Sequence, residues 1–209
     1  MELTELIEIS ESPDFEGMKK RLKSYIENIQ NVEIQKLAKK AKLPYAKTLK
    51  DFRFSLQPQI EQEIMELANC SFIDKAENII LLGDTGLGKT HIAGALGIEA
   101  LKKKKKVKFI TAQDFFAEDK KLEKLLKDLI RADLLILDEL GLTRIDEAKA
   151  ELLYRLISKR HGKKAMIVTT NVLPKNWLAN VPTANAILDR VFENLRVLKF
   201  QGDSYRIKK

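Results

Sequence analysis

Gly83-Asp84-Thr85-Gly86-Leu87-Gly88-Lys89-Thr90 is a complete G-x-x-x-x-G-K-[ST] segment, and its flanks decide the fold. Ahead of it, Ile79-Ile80-Leu81-Leu82 reads as a buried strand. Behind it, Lys89 to Leu101 carries Ile92, Leu96 and Leu101 at helical spacing, filled in by Ala93, Ala95 and Ala100. Strand, loop and helix in that order are the context a phosphate-binding loop requires. Glycines let successive backbone N–H groups converge on one concavity, and the positive end of the following helix reinforces it. The spacing predicts a nucleotide site running from Gly83 to His91. The backbone of 84–90 and Lys89 would hold phosphates, and the Thr90 hydroxyl would hold Mg²⁺. The competing reading is a chance glycine-rich turn, which should arise in fewer than roughly one such chain in a hundred.

Downstream, Val107-Lys108-Phe109-Ile110-Thr111 reads as a strand, Asp114 to Ile130 as a helix, and Leu134-Leu135-Ile136-Leu137-Asp138-Glu139 as a strand ending in two acids. Asp138 is placed to share Mg²⁺ with Thr90, and Glu139 to orient or deprotonate the water that attacks the γ-phosphate. On its own such a run is a buried strand meeting an acidic turn; about fifty residues after a phosphate loop, the metal-site reading prevails. A sheet with a strand inserted between the phosphate-loop strand and the Asp strand, and Glu directly after the Asp, belongs to the oligomeric ATPase branch of P-loop proteins. That step is fold-level analogy.

The run Ala165-Met166-Ile167-Val168-Thr169-Thr170 is the next strand, with Asn171 at its end. An amide there could bond the γ-phosphate or the attacking water, since the carboxyl ends of parallel strands line the ligand crevice. Asn is also an ordinary strand-terminating turn residue. Arg190, late in a helix, could complete a neighbouring subunit's site, or could be a helix-end charge beside Asp189.

At 209 residues the chain can bury a real core. One cysteine, Cys70, offers no disulfide framework and suits a reducing cytoplasm. No secretory signal or bilayer-length apolar run is visible, so the expectation is a cytoplasmic protein with no membrane contact. His91 and His161 have no partners at metal-ligand spacing, and Trp177 reads as packing after Pro174. The net charge of +8 is unevenly distributed. Residues 1–18 hold six acids and no Lys or Arg, whereas 19–53 hold eleven Lys or Arg against three acids. Lys36, Lys39, Lys40, Lys42, Lys47, Lys50 and Arg53 are therefore candidates for nucleic-acid phosphates. The alternative is a lysine-rich polar face, because Phe15, Met18, Leu22, Ile26, Ile29, Ile34, Leu37 and Ala41 recur at helical spacing. Lys102 to Lys106 reads as a solvated turn at a helix C-terminus.

From about Ile34 to Lys208 the chain resembles the IstB-like ATP-binding proteins, transposition helper ATPases related to replicative helicase loaders of the DnaC type. The resemblance is carried by Leu43-Pro44-Tyr45-Ala46-Lys47-Thr48-Leu49-Lys50-Asp51-Phe52, by Ala76-Glu77-Asn78, and by the phosphate loop with His91. It continues through Leu-Asp-Glu-Leu-Gly at 137–141, Thr-Thr-Asn at 169–171, Leu-Asp-Arg at 188–190 and Gly-Asp-Ser-Tyr-Arg at 202–206. It implies an AAA+ ATPase core without a C-terminal lid, which assembles on duplex DNA and works with a transposase. Asn171 would take the sensor position and Arg190 the arginine-finger position. Gln113 to Arg131 and Pro174 to Ala184 are shorter than the family pattern, and Leu142-Thr143-Arg144 stands where it tends to have an apolar pair.

The expected architecture is an α/β chain: a helical, basic N-terminal module over 1–55, then a three-layer α/β/α P-loop NTPase domain over 56–209 with a mostly parallel five-stranded sheet. Its last strand is expected at Val197–Phe200, with 204–207 pairing or capping it. Three functions compete. The first is an ATP-dependent homo-oligomer on double-stranded DNA that assists a transposase. The second is a loader acting on a replicative helicase and single strands, and the third is a DNA-binding nucleotide switch with little turnover. Glu139 and Arg190 together argue against the switch.

Overall fold

The computed structural model describes residues 15–44, 47–117, 122–142, 144–178, 181 and 184–202. Asn78–Leu82 (β1), Val107–Thr111 (β2), Leu134–Asp138 (β3), Ala165–Thr170 (β4) and Leu195–Lys199 (β5) form one fully parallel sheet in the order β2-β3-β4-β1-β5. The strand inserted between the phosphate-loop strand and the Asp strand is thus β4. The strand that intervenes in sequence, β2, lies at the sheet edge. Central strands are covered on both faces and so read as unbroken apolar runs. The fifth strand begins at Leu195, two residues earlier than expected. The expected pairing of 204–207 lies outside the described residues.

The remaining described helices are Phe15–Lys40 (α1), Pro58–Leu67 (α2), Ser71–Asp74 (α3), Lys89–Lys102 (α4), Ala112–Phe116 (α5), Leu122–Arg131 (α6), Glu147–Arg160 (α7) and Ala184–Phe192 (α8). Alternate strand residues serve opposite layers. Ile80, Leu135, Leu137, Met166 and Val168 join Leu126, Leu129, Leu153, Leu156 and Ile187 of α6, α7 and α8 in one core. On the opposite face α4 presses its small residues on the sheet, and Gly97 leaves room for Ile136. Each such fully buried side chain contributes about 1.5–3 kcal/mol. The single helix expected over 114–130 is instead two helices. Phe115 and Phe116 turn into the core, and at Ala117 the backbone becomes extended (ψ 123°).

The chain divides into two compact units, Met1–Leu37 and Ala38–Lys209. Residues 38–55, expected with the amino-terminal module, therefore lie in the unit that holds the sheet. The Phe109 N–H donates to the Ala41 carbonyl at 2.8 Å, and Leu43 packs at Gly97. Within the first unit, Met18, Leu22, Ile26 and Ile29 of α1 are exposed. No described helix is long and apolar enough to cross a membrane. The Lys102–Lys106 turn is held by its neighbours: Lys102 pairs with Glu99 at 2.7 Å, Lys105 with Asp74 at 2.5 Å, and Lys103 donates to the Asn69 carbonyl.

Candidate nucleotide site

The loop between β1 and α4 turns on Gly86 and Gly88, both at φ 88°, and Gly88 is the N-cap of α4. The unpaired N–H groups of the first helical turn therefore face the loop. Gly83 cannot be replaced in kind, because a Cβ there would lie 2.5 Å from the Phe200 carbonyl oxygen. Leu87 is buried and belongs to the core, so within the loop it contributes backbone only. The Lys89 ammonium donates to the carbonyls of Gly83 at 2.6 Å and Asp84 at 2.7 Å. Burial pushes its pKa below the usual lysine value, against the opposing charges of Asp138, Asp84 and Glu139. A phosphate would give this ammonium a charged partner in place of two neutral carbonyls.

Across the loop, the Thr90 hydroxyl donates to Asp138, with its oxygen 2.9 Å from Oδ1 and 3.1 Å from Oδ2. Burial pushes the Asp138 carboxyl up, and hydrogen bonds from Thr169 and Thr90 and the charge of Lys89 resist the rise. These hard oxygens suit Mg²⁺, which keeps most of its water and takes one or two protein ligands plus substrate phosphates. Among the described residues no group of three or more His, Cys, Asp or Glu could hold a metal by itself. Glu139 follows in the left-handed conformation, φ 61°. Strain of this kind in a non-glycine residue persists where the surroundings over-determine it.

A cleft of about 560 Å³ joins these groups. It is lined by Thr85, Gly86, Gly88, Lys89, Thr90 and His91, by Asp138, Glu139 and Leu142, and by Thr169, Thr170 and Asn171. Asn171 therefore shares the cleft with Glu139 and Lys89. Arg190 is not among the described residues that line it. Its guanidinium lies over the Tyr154 ring and donates to the Ala186 carbonyl at 2.7 Å.

The opposite wall was not foreseen. Pro44, Lys47, Asp51, Phe52 and Arg53 line the same cleft. Phe52 is seated by the loop, since a Cβ on Gly88 would lie 2.5 Å from its Cε2. His91 latches this wall: its Nε2 is 2.9 Å from the Thr48 carbonyl oxygen, and its ring meets Phe52 edge-on at 5.4 Å. Asp51 accepts hydrogen bonds from the Thr48 N–H at 2.7 Å and hydroxyl at 2.8 Å. Lys47 and Arg53, expected on nucleic acid, thus stand on the nucleotide cleft, whereas exposed Lys36, Lys39, Lys40, Lys42 and Lys50 do not line it. The Pro44–Phe52 stretch is visible in sequence as part of the family signature, but a charge pattern alone does not say which phosphates it faces.

A family model described as IstB-like ATP binding protein matches residues 21–209. The chain belongs to the IstB-like family. The putative ATP-binding protein of insertion sequence IS5376 from Geobacillus stearothermophilus is 38% identical over 185 residues, covering 84% of this chain and 74% of the relative. Its counterpart from IS21 of Pseudomonas aeruginosa is 38% identical over 180 residues, covering 81% and 68%. Among solved structures, the DnaC helicase loader superposes with a TM-score of 0.58 at 21% identity, covering 69% of this IstB-like chain and 90% of the loader. Aquifex aeolicus DnaA bound to AMPPCP gives 0.64 at 22% identity, covering 79% and 54%. These likenesses show that the α/β P-loop core has the fold of those proteins. The chain is an ATP-binding IstB-like protein of the kind carried by insertion sequences.

Proposed function

We propose that this chain hydrolyses ATP with Mg²⁺, and that ATP drives its assembly as a homo-oligomer on double-stranded DNA to assist a transposase. The observation that carries the reading is the convergence of Lys89, Thr90, Asp138, Glu139 and Asn171 on one cleft. A protein that only stored nucleotide would need the cradle but not a carboxylate beside it. Thr90 and Asp138 would hold Mg²⁺, which would neutralise charge at the phosphates. Lys89 binds the phosphates, Glu139 accepts the proton of the attacking water, and Asn171 reads the γ-phosphate. Arg190 acts on the neighbouring subunit's nucleotide. Lys47 and Arg53 belong to the nucleotide, and Lys36, Lys39, Lys40, Lys42 and Lys50 to DNA phosphates. The protein works in the cytoplasm; its one cysteine, Cys70, is free and buried.

The test is the steady-state ATP hydrolysis rate with no DNA, single-stranded DNA and duplex DNA, each at two salt concentrations. Stimulation by duplex that fades with salt is expected, because phosphate contacts release counterions. Preference for single strands would replace this reading with a helicase-loader role, and absence of turnover throughout would remove hydrolysis from it.

A further inference from the structure

We infer that Thr169 is a positioning residue that sets both acidic groups of the site through one buried hydroxyl. The inference rests on the hydrolytic reading above. The β3–β4 ladder runs to the pair Leu137 and Val168, so Asp138 and Thr169 stand side by side just past it. Thr169 is 1% exposed. Its hydroxyl donates to Asp138 Oδ1 at 2.5 Å and accepts the Glu139 N–H at 2.9 Å. Its carbonyl accepts the Leu140 N–H at 2.9 Å. Three consecutive residues of the acidic turn are therefore tied to this one residue.

A hydroxyl has one proton to give and lone pairs to accept with, and here both capacities are used. The proton goes to Asp138, which fixes the rotamer of the carboxylate that faces Thr90. The lone pair holds the peptide of Glu139 in its left-handed conformation. If Thr90 held a metal ion through its hydroxyl oxygen, Thr169 would be left as a side-chain donor to Asp138. A valine would fill the same space and keep strand propensity while losing both bonds. That separates positioning from packing.

The test compares Thr169→Val and Thr169→Ser with the unaltered chain, with Thr169→Cys as a further near-isostere should valine fail to fold. Thermal melting checks folding. Fluorescent ATP titrations are run in EDTA and in Mg²⁺, and steady-state hydrolysis across a Mg²⁺ series. Removal of an outer-shell partner typically costs about 10–100-fold in metal affinity or activity. Thr169→Val is expected to lower kcat by about that factor and raise the half-saturating Mg²⁺ concentration, with EDTA nucleotide affinity within about twofold. Thr169→Ser is expected to restore both. Wild-type kcat and Mg²⁺ requirement in Thr169→Val would overturn the inference. So would equal loss of nucleotide affinity in EDTA and Mg²⁺, or failure of serine to rescue, because either result marks packing alone. If the unaltered chain shows no turnover, the hydrolytic reading fails separately, and the Mg²⁺ dependence of nucleotide binding still decides the role of Thr169.

Discussion

The Arg190 guanidinium sits 4.9 Å from the centre of the Tyr154 ring, joining α8 to α7 away from the nucleotide cleft. A cation over an aromatic face is held by about 0.5–2 kcal/mol, which aims the group without burying it. This arrangement suits an arginine that serves another subunit. The expected outcome is that Arg190→Ala and Glu139→Gln proteins are each inactive, while a mixture recovers part of the ATPase rate. A finger of this kind carries on the order of 10³–10⁵ in rate. No recovery on mixing would count against action between subunits. Tyr154→Leu should slow turnover only severalfold, with unchanged affinity for ATP.

Lys89 and Glu139 lie on one cleft and should fail in opposite ways. Lys89→Ala removes the ammonium that the loop carbonyls now hold and that phosphates would take over. Charged hydrogen bonds of this type contribute about 1.5–3 kcal/mol, so ATP affinity should fall about 10–100-fold. Glu139→Gln keeps the phosphate loop and removes the carboxylate proposed as the base. It should bind ATP normally in a calorimetric titration and turn over at a background rate. Normal turnover in Glu139→Gln would remove the role assigned to that carboxylate.

Legibility from sequence followed the range of each interaction. The phosphate loop, β1 to β4 and the positions of Asp138 and Asn171 could be read because each is encoded by a short run with a period and a stop. Thr169 could not, because a β-branched residue in an apolar strand already has a sufficient reason to be there. Its bonds to Asp138 and Glu139 depend on β3 and β4 being neighbours. Lys47 and Arg53 were read by charge, and charge does not distinguish nucleotide phosphate from DNA phosphate. The break at Ala117 was hidden because Phe115 and Phe116 fit a helical stripe and a core corner equally well.

Acid should weaken the protein partly through Asp133. Burial pushes this carboxyl up, but hydrogen bonds from the Lys164 ammonium and the Lys106 N–H, with the charges of Lys164 and Lys105, hold it below its ordinary 3.8. The folded chain therefore binds this proton less tightly than the unfolded chain. The resulting stabilisation is complete above 3.8 and is lost as pH falls through the folded value. Melting curves of Asp133→Asn should show a deficit of about 0.5 kcal/mol near neutrality, once solvent screening is allowed for. The deficit should shrink as pH falls from about 4 towards about 2. A constant deficit across that range would show that the carboxylate charge is not its source.

Gly141 and Trp177 tie the acidic turn to the turn that carries Asn171. Gly141 has φ 92°, and a Cβ there would lie 2.8 Å from Trp177 Cδ1 and 3.3 Å from Val172 Cβ. The indole N–H in turn reaches the Thr170 hydroxyl and the Val172 carbonyl, both at 3.1 Å, on either side of Asn171. Gly141→Ala should displace the ring and cost about 2 kcal/mol of stability from backbone strain and contact. Trp177 is the chain's one tryptophan and is buried, so its emission should shift to the red. Turnover should fall more than ATP affinity if Asn171 serves the γ-phosphate as proposed, because its turn moves while the phosphate loop stays. An unshifted emission with full activity would show the ring has room to adjust.

Arg160 tests the end of the sheet away from the nucleotide. It is 1% exposed and donates to the carbonyls of Leu129 at 2.5 Å, Ala132 at 2.8 Å and Ala165 at 2.6 Å. It thus caps the C-terminus of α6, where helix carbonyls lack partners, and fixes the start of β4. Burial lowers its pKa to about 10, with Asp133 opposing, so it remains charged at neutral pH. Arg160→Met removes a costly buried charge but strands three buried carbonyls, and the second effect should prevail by about 3 kcal/mol in urea unfolding. Arg160→Lys keeps the charge but cannot span carbonyls on two elements, and should lose an intermediate amount. The folded fraction of either variant should bind ATP as the unaltered chain does, because the nucleotide lies at the carboxyl ends of the strands and Arg160 braces the start of β4. A loss of affinity that exceeded the unfolded fraction would show that strain travels along β4 to Thr169.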